Sequence, residues 1–158
     1  MMPSLMLWKQ VWLKRYITDF GTEDLLNKPN VTVFPHVGGS TGEAELNCAI
    51  MAGQTIHRFM ETGEIVNSVN FPRVQQALSA PYRITLINKN VPNIVARIST
   101  AVSDFNINID NIINRSKGDY AYTLLDLDET DKSKIDELVA KFEASDNIVR
   151  VRLIKGKS

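Results

Sequence analysis

Cysteine is almost absent from this chain, and its scarcity limits the available chemistry. The 158 residues include a single cysteine, Cys48, so no disulfide can form within the chain. Cys48 lies in a run whose apolar residues repeat at helical spacing, which predicts a buried thiol rather than a reactive one. One cysteine also fits a reducing compartment, and we therefore expect a cytoplasmic protein.

Net charge is absent as well. Eighteen basic and eighteen acidic residues balance, which leaves no overall basic field for non-specific binding to nucleic acid or to an anionic membrane. Lys9 and Lys14 interrupt the apolar N-terminal stretch, so it predicts neither a membrane span nor a secretory signal. An amphipathic helix on a membrane surface is the alternative for residues 1–16. We expect no nucleic-acid partner and no membrane partner.

A glycine-rich nucleotide loop is the third absence. Gly38-Gly39 is a lone pair, and no G-x-G-x-x-G spacing follows a strand anywhere in the sequence. The chain therefore offers no recognisable dinucleotide site, and we expect it to bind no cofactor when it is alone.

What is present is a distinctive histidine segment at 35–45, which reads PHVGGSTGEAE. Ser40 and Glu43 have the spacing of a capping box, which predicts a helix over 40–62. His36 then lies in a loop just before a helix N-terminus, a place suited to a proton-transfer group. Upstream, the runs YITDF and VTVF predict two short strands.

The second half of the chain follows a different pattern from Tyr82 onward. Strand and helix spacings succeed one another in the order β-α-β-β-α-β, which predicts a ferredoxin-like sandwich with two helices on one face of an antiparallel sheet. Residues 82–87 alternate as a half-buried strand does, and residues 126–129 are interpreted as a solvated strand end. Tyr120 and Tyr122 are interpreted as core or interface residues. The two edge strands invite pairing with a second copy, so we expect a homodimer.

Carboxamides mark a candidate ligand site in this half. Asn88 and Asn90 follow the first strand at a helix N-terminus, and Asn108 begins the next strand. Carboxamides donate to a carboxylate and accept from an ammonium group, which suits an amino-acid ligand. The alternative is that these asparagines only form turns and caps. His57 has no partners at metal spacing, and no metal site is predicted.

The PHVGGST run resembles the segment that carries the catalytic histidine in the D-isomer-specific 2-hydroxyacid dehydrogenases, and in particular their phosphoglycerate dehydrogenase branch. The resemblance implies that His36 takes the proton of the substrate hydroxyl while hydride passes to NAD. It also implies that Glu23 is the carboxylate paired with that histidine. The intact family enzymes are NAD-dependent oxidoreductases of L-serine biosynthesis. Their substrate arginine and Rossmann unit have no match here, which predicts no activity for the chain alone.

The second half resembles ACT domains, which bind small regulators, often amino acids, between paired domains. This resemblance implies that Asn88, Asn90 and Asn108 contact L-serine and that the module forms a homodimer. Asn93 stands where the family commonly has glycine, a residue that lets ligand and backbone approach closely. We therefore expect weak serine binding.

These resemblances divide the chain into an unmatched N-terminus (1–14), a remnant of the dehydrogenase catalytic region (15–72), a linker (73–81) and an ACT regulatory domain (82–158). The predicted fold class is α+β: a ferredoxin-like βαββαβ ACT domain preceded by a truncated α/β dehydrogenase segment with one long helix. The predicted function is an amino-acid-sensing, dimerising module with a catalytic remnant. Two alternatives stay open: a contributor to a split dehydrogenase completed by an upstream chain, and the non-functional product of a disrupted gene.

Overall fold

The computed structural model of the chain describes residues 14–156. The predicted unmatched N-terminus, 1–14, therefore lies almost wholly outside the described residues. The chain divides into two compact units between Ile50 and Met51, inside one long helix.

The first unit is built on a pair of short parallel strands. β1, Tyr16–Thr18, pairs with β2, Val31–Val33, and a 3-10 helix, Glu23–Leu25, lies between them in the chain. Among residues 14–50 only Leu25 is buried. Two strands cannot enclose a core by themselves.

The long helix α1, Gly42–Thr62, confirms the predicted helix but not its predicted cap. Oγ1 of Thr41 accepts a hydrogen bond from the backbone N of Ala44 at 3.1 Å. Thr41 is therefore the N-cap, one residue after the Ser40 that the sequence pattern indicated.

The apolar stripe of α1 is exposed in the structure. Its large apolar side chains with more than a third of their surface open include Leu46, Ile50, Met51, Ile56 and Met60. Cys48 is exposed too, so the prediction of a buried thiol is wrong. The apolar spacing correctly predicted a helix, but none of the described side chains of α1 is buried.

The second unit confirms the ferredoxin-like fold. Its elements are β3 (Tyr82–Lys89), α2 (Ile94–Ser103), β4 (Asn108–Lys117), β5 (Tyr120–Asp128), α3 (Lys132–Glu143) and β6 (Ile148–Lys155). The strands form one antiparallel sheet in the order β4-β5-β3-β6, with β4 and β6 at its edges. Both helices pack on one face, where the main core includes Ile84, Leu86, Ile98, Leu125, Ile135 and Leu138.

The opposite face of the sheet, here called the outer face, is covered as well. The segment 64–77, here called the strap, lies across it and closes on itself through a single β-bridge between Ile65 and Val74. A second apolar cluster joins these two residues to Tyr122 and Leu124 of β5. β3 is consequently buried on both faces. The alternation of its residues had predicted a half-buried strand, and that prediction is wrong.

An ion pair buried under the strap fastens it to the sheet. Nε and Nη2 of Arg83 donate to the two carboxylate oxygens of Asp126 at 2.5 and 2.7 Å, and both side chains are almost fully buried. The same guanidinium donates to the backbone oxygens of Thr62, Gln76 and Ala77. Asp126 is therefore not part of a solvated strand end, because its strand lies beneath the strap.

The sheet also caps the C-terminus of α1. Arg152 of β6 donates to the backbone oxygens of Phe59 and Met60, and its guanidinium lies 5.1 Å from the centre of the Phe59 ring. The Tyr122 hydroxyl donates to the oxygen of Gly63 at 2.6 Å. Gly63 has φ of 71°, and a Cβ there would lie 2.5 Å from Thr85, so only glycine fits this helix end.

The predicted linker, 73–81, is thus in part a packed element. Val74 is buried and the oxygens of Gln76 and Ala77 bind Arg83. The compact units divide near residue 50, whereas the sequence interpretation divided the chain at 73–81. The domain assignment by resemblance stays a prediction.

Candidate functional site

His36 is held by an aspartate in the first compact unit. Its Nδ1 lies 2.8 Å from Oδ2 of Asp19, and the Phe20 ring packs against the imidazole with 4.5 Å between ring centres. Asp19 follows β1 and His36 lies three residues after β2. Because parallel strands carry their following residues to the same edge, the pairing of β1 with β2 brings the two together.

The predicted partner of His36 was Glu23, and that assignment stays a prediction; the carboxylate that contacts the imidazole in the structure is that of Asp19. Glu23 opens the 3-10 helix that buries Leu25, and its neighbour in the chain Asp24 is acidic as well. Sequence reasoning missed Asp19 although the signal was present, since it directly follows a strand that pairs with the histidine's own strand. Catalytic roles for His36 and Glu23 stay predictions.

The chemistry of this pair follows from its hydrogen bond. When the imidazole is neutral, the nitrogen facing the carboxylate carries the proton, and Nε2 is left with a lone pair. A histidine held this way can accept a proton from a hydroxyl. Both side chains are about half exposed, at 60% and 48%, so the described residues leave the pair open to solvent.

Asn88 is engaged inside the second unit. Its side chain is fully buried; Oδ1 accepts from the Thr123 hydroxyl at 2.9 Å and Nδ2 donates to the oxygen of Lys89. Asn114 donates in turn to the Thr123 hydroxyl at 2.7 Å. The three side chains form a row across β3, β5 and β4, so Asn88 organises this end of the sheet and does not present its carboxamide to solvent.

Asn90 lies at the same end, exposed. Its Nδ2 donates to the oxygen of Gly118 at 3.0 Å, which joins the loop after β3 to the β4–β5 hairpin. Asn93, three residues on, caps α2 with φ of 64° and makes no side-chain cap bond. Asparagine tolerates the left-handed region better than most residues, yet glycine adopts it without strain. The backbone here therefore has the conformation that a glycine would favour.

Asn108 lies at the other end of the sheet. It pairs with Asp128, whereas Asn88 pairs with Ala121 on the same strand. Seven residues at about 3.3 Å each put the two ends about 23 Å apart. One protomer therefore does not bring Asn88, Asn90 and Asn108 together.

Other candidate chemistry is sparse. Within residues 14–156, no group of three or more histidine, cysteine or carboxylate side chains is placed to hold a metal ion. In the same part of the chain, no helix has the length and apolarity needed to cross a membrane. His57 lies on the exposed surface of α1.

The sequence is similar to phosphoglycerate dehydrogenases over most of its length. It is 31% identical over 139 residues to D-3-phosphoglycerate dehydrogenase 2 of Saccharomyces cerevisiae, 30% over 132 residues to the Dictyostelium discoideum enzyme, and 26% over 133 residues to the Escherichia coli K12 enzyme. The matches cover 83% to 84% of this chain but only 29% to 32% of those proteins. No family model matches the chain.

Solved structures similar to the chain include ACT domains. The ACT domain of GTP pyrophosphokinase from Chlorobium tepidum has a TM-score of 0.42 at 18% identity, covering 46% of this chain and 95% of that one. The ligand-free regulatory subunit of aspartate kinase from Thermus thermophilus has 0.40 at 21%, covering 49% and 52%. The fold assignment itself rests on the strand order and the βαββαβ connection described above.

Proposed function

We propose that this chain, which is related along 84% of its length to the D-3-phosphoglycerate dehydrogenases, works as a dimerising, amino-acid-sensing ACT module that carries a catalytic remnant. In the intact enzyme the cofactor would be NAD, and the proposed compartment is the cytoplasm. The ligand we favour is a small amino acid such as L-serine.

The observation that carries the proposal is the position of Asn108 on the edge strand β4. A second copy paired antiparallel about the middle of β4 brings its own Asn108 to the end where β4 finishes, at Lys117. That end also holds Gly118, the residue that Asn90 contacts. Two copies would therefore put Asn108 of one copy at the end of the sheet that holds Asn88 and Asn90 of the other.

The charges along β4 favour that antiparallel arrangement. Asp110 lies near its start, and Arg115 and Lys117 lie near its end, all three exposed. An antiparallel copy places the acid of one strand near the bases of the other. The opposite edge, β6, exposes Arg150 and Lys155 and no acid, so self-pairing there sets like charges against each other.

The polar groups at this end suit a zwitterion. Asn90 and the partner's copy of Asn108 would donate to a carboxylate or accept from an ammonium group. The loop ends at the N-terminus of α2, whose free backbone N–H groups favour a carboxylate. Asn88 would support the site indirectly, because its buried hydrogen bonds with Thr123, and through Thr123 with Asn114, link the three strands at this end.

Calorimetry with L-serine on the full chain tests the site. We expect binding in the micromolar to millimolar range, because a ligand with few atoms has few contacts to make. Asn108→Ala should remove the heat, and Asn93→Gly should tighten binding by relieving the left-handed backbone. Asn47→Ala, an exposed change on α1, is the matched control. If neither the parent chain nor Asn93→Gly gives heat with L-serine, the proposed amino-acid site is refuted. The module would then be a dimerisation unit only.

Sedimentation tests the dimer. Asp110→Lys should weaken association, because it sets like charges together across β4. The double variant Asp110→Lys/Arg115→Asp should recover it, since the signs again match. A clean monomer for the parent chain at micromolar concentration would refute the dimer.

A second candidate function rests on His36 and Asp19. Their hydrogen bond gives the histidine an orienting carboxylate, as a proton acceptor in a split dehydrogenase needs. We expect no NADH from 3-phosphoglycerate and NAD with the purified chain. Production that appears only when an upstream dehydrogenase chain is added, and disappears with His36→Ala, would favour this second function.

A further inference from the structure

A cavity at the end of the sheet opposite Asn88 has no role in the proposed function. It measures about 400 Å³, within the usual range of about 300 to 1,000 Å³ for small-molecule sites. Its lining includes Ser79, Ala80, Pro81, Tyr82, Thr130 and Lys155. Tyr82 is six residues before Asn88 along β3, which puts the cavity about 20 Å from the asparagine loop.

The first indication of a ligand is the Tyr82 hydroxyl. Tyr82 is only 6% exposed and its ring belongs to the core between sheet and helices, yet the residue lines the cavity. Among residues 14–156 no hydrogen bond to or from this hydroxyl is formed. A buried tyrosine normally satisfies its hydroxyl. Here the hydroxyl lacks a hydrogen-bond partner among the described residues, and the Lys132 ammonium at the start of α3 interacts with it electrostatically.

The second indication is the charge at the wall. Lys155, opposite Tyr82 in the sheet, is exposed and forms no ion pair with the described residues. The acids beside Thr130 are engaged elsewhere: Glu129 accepts from Lys134 at 3.0 Å, and Asp131 caps α3 through the N of Ser133. Lys155 is the one charged side chain among the described residues that line the cavity.

The third indication is a rigid backbone wall. The N of Gly156 donates to the oxygen of Pro81 at 2.8 Å, which holds the end of β6 against the start of β3. A Cβ at Gly156 would lie 2.2 Å from the oxygen of Ala80, so a side chain there would force the two segments apart. Ala80 and Pro81 are thus presented as a fixed apolar surface beside the two donors.

We propose that this cavity binds a small monocarboxylate with a compact apolar body. Lys155 and the Tyr82 hydroxyl bind the carboxylate, and the apolar body packs on Ala80 and Pro81. Thr130 adds a hydroxyl at the rim. The site is independent of the asparagines and of the second copy that the proposed function requires.

Titration of the full chain, followed by ¹⁵N–¹H NMR, tests the proposal with two probes of the same shape. 3-Methylbutanoate should give saturable shifts at the amides of Tyr82, Thr130 and Gly156 while the amide of Asn90 stays still. 3-Methylbutan-1-ol, which lacks the charge, should bind more weakly. L-Serine, run separately, should leave the three cavity amides unmoved.

Variants identify the contacts. Tyr82→Phe should weaken binding of 3-methylbutanoate about tenfold, the effect of one hydrogen bond to a charged group. Lys155→Met should abolish the preference for the acid over the alcohol, and Lys89→Met, at the other end of β3, should leave it unchanged. Thr130→Val provides a second probe of the rim on an exposed loop. An absence of saturable shifts, or an unchanged preference in Lys155→Met, would overturn the proposal.

Discussion

At the scale of single residues, Arg83 and Asp126 form a buried ion pair in the second unit. The guanidinium binds one carboxylate and three backbone oxygens, so removing the acid leaves a buried charge without its counter-ion. We expect Asp126→Leu to lower the free energy of unfolding by about 3 to 5 kcal/mol. Urea unfolding measures the change. Asp128→Leu, exposed on the same strand, should cost no more than about 0.5 kcal/mol, and a similar loss in both would contradict the role of the pair.

Tyr122 offers a second test at this scale. Burial raises the pKa of its hydroxyl above the ordinary 10.0, against the smaller opposing effects of Thr85, Arg152 and Arg83. The folded state thus favours the neutral phenol, and this contribution to stability is intact below pH 10 and is lost as pH rises through the higher folded pKa. Ultraviolet titration should show a late component that ionises above pH 10.0. Tyr122→Phe should remove the late component, and an unchanged titration would contradict this.

Single residues also show where sequence reasoning stops. Asp126 sits in a run that ends a strand, and nothing local distinguishes it from its exposed neighbour Asp128. Its partner Arg83 is 43 positions away, and only the pairing of β3 with β5 brings them together. His36 was identified from its motif, whereas Asp19 required knowing that β1 and β2 run parallel.

At the scale of elements, periodicity predicted the six elements from β3 to β6 in their order along the chain. In each helix and strand, the spacing of apolar residues reveals a single buried face. In these six elements that face packs on the main core. The strap was missed because 64–77 has no period, and β3 was misjudged because its second face is covered by that aperiodic segment. The end of α1 at Gly63 was foreseeable from its glycine, but the side chains that cap it were not.

The cap on α1 makes a prediction for that helix. Arg152 donates to two carbonyl oxygens at once, a geometry that lysine does not reproduce. Arg152→Lys should therefore raise amide exchange in the last turn of α1 about fivefold, the effect of losing one hydrogen bond. Hydrogen exchange by mass spectrometry provides the measurement. Arg150→Lys is the matched control on the same strand, and an equal effect there would rule out capping by Arg152.

At the scale of the whole molecule, the strap and the end of α1 belong to the folded unit that contains the sheet. A chain cut to 82–158 lacks the residues that cover Tyr122 and Leu124 and the oxygens that bind Arg83. We expect this piece to expose an apolar sheet face, to bind a hydrophobic dye and to lose cooperative unfolding. A piece spanning 51–158 should unfold cooperatively. Equal stability of the two pieces would show that the strap contributes nothing.

The capped helix end has a consequence for anyone who wishes to transplant this module. Since Phe59, Met60 and Gly63 are held by the sheet, the smallest portable cassette begins with a stretch of helix rather than a loop. A foreign domain joined through that helix would rotate by about 100° for each residue added at the junction, at 3.6 residues per turn. The number of inserted helical residues would then set the direction in which the attached domain faces.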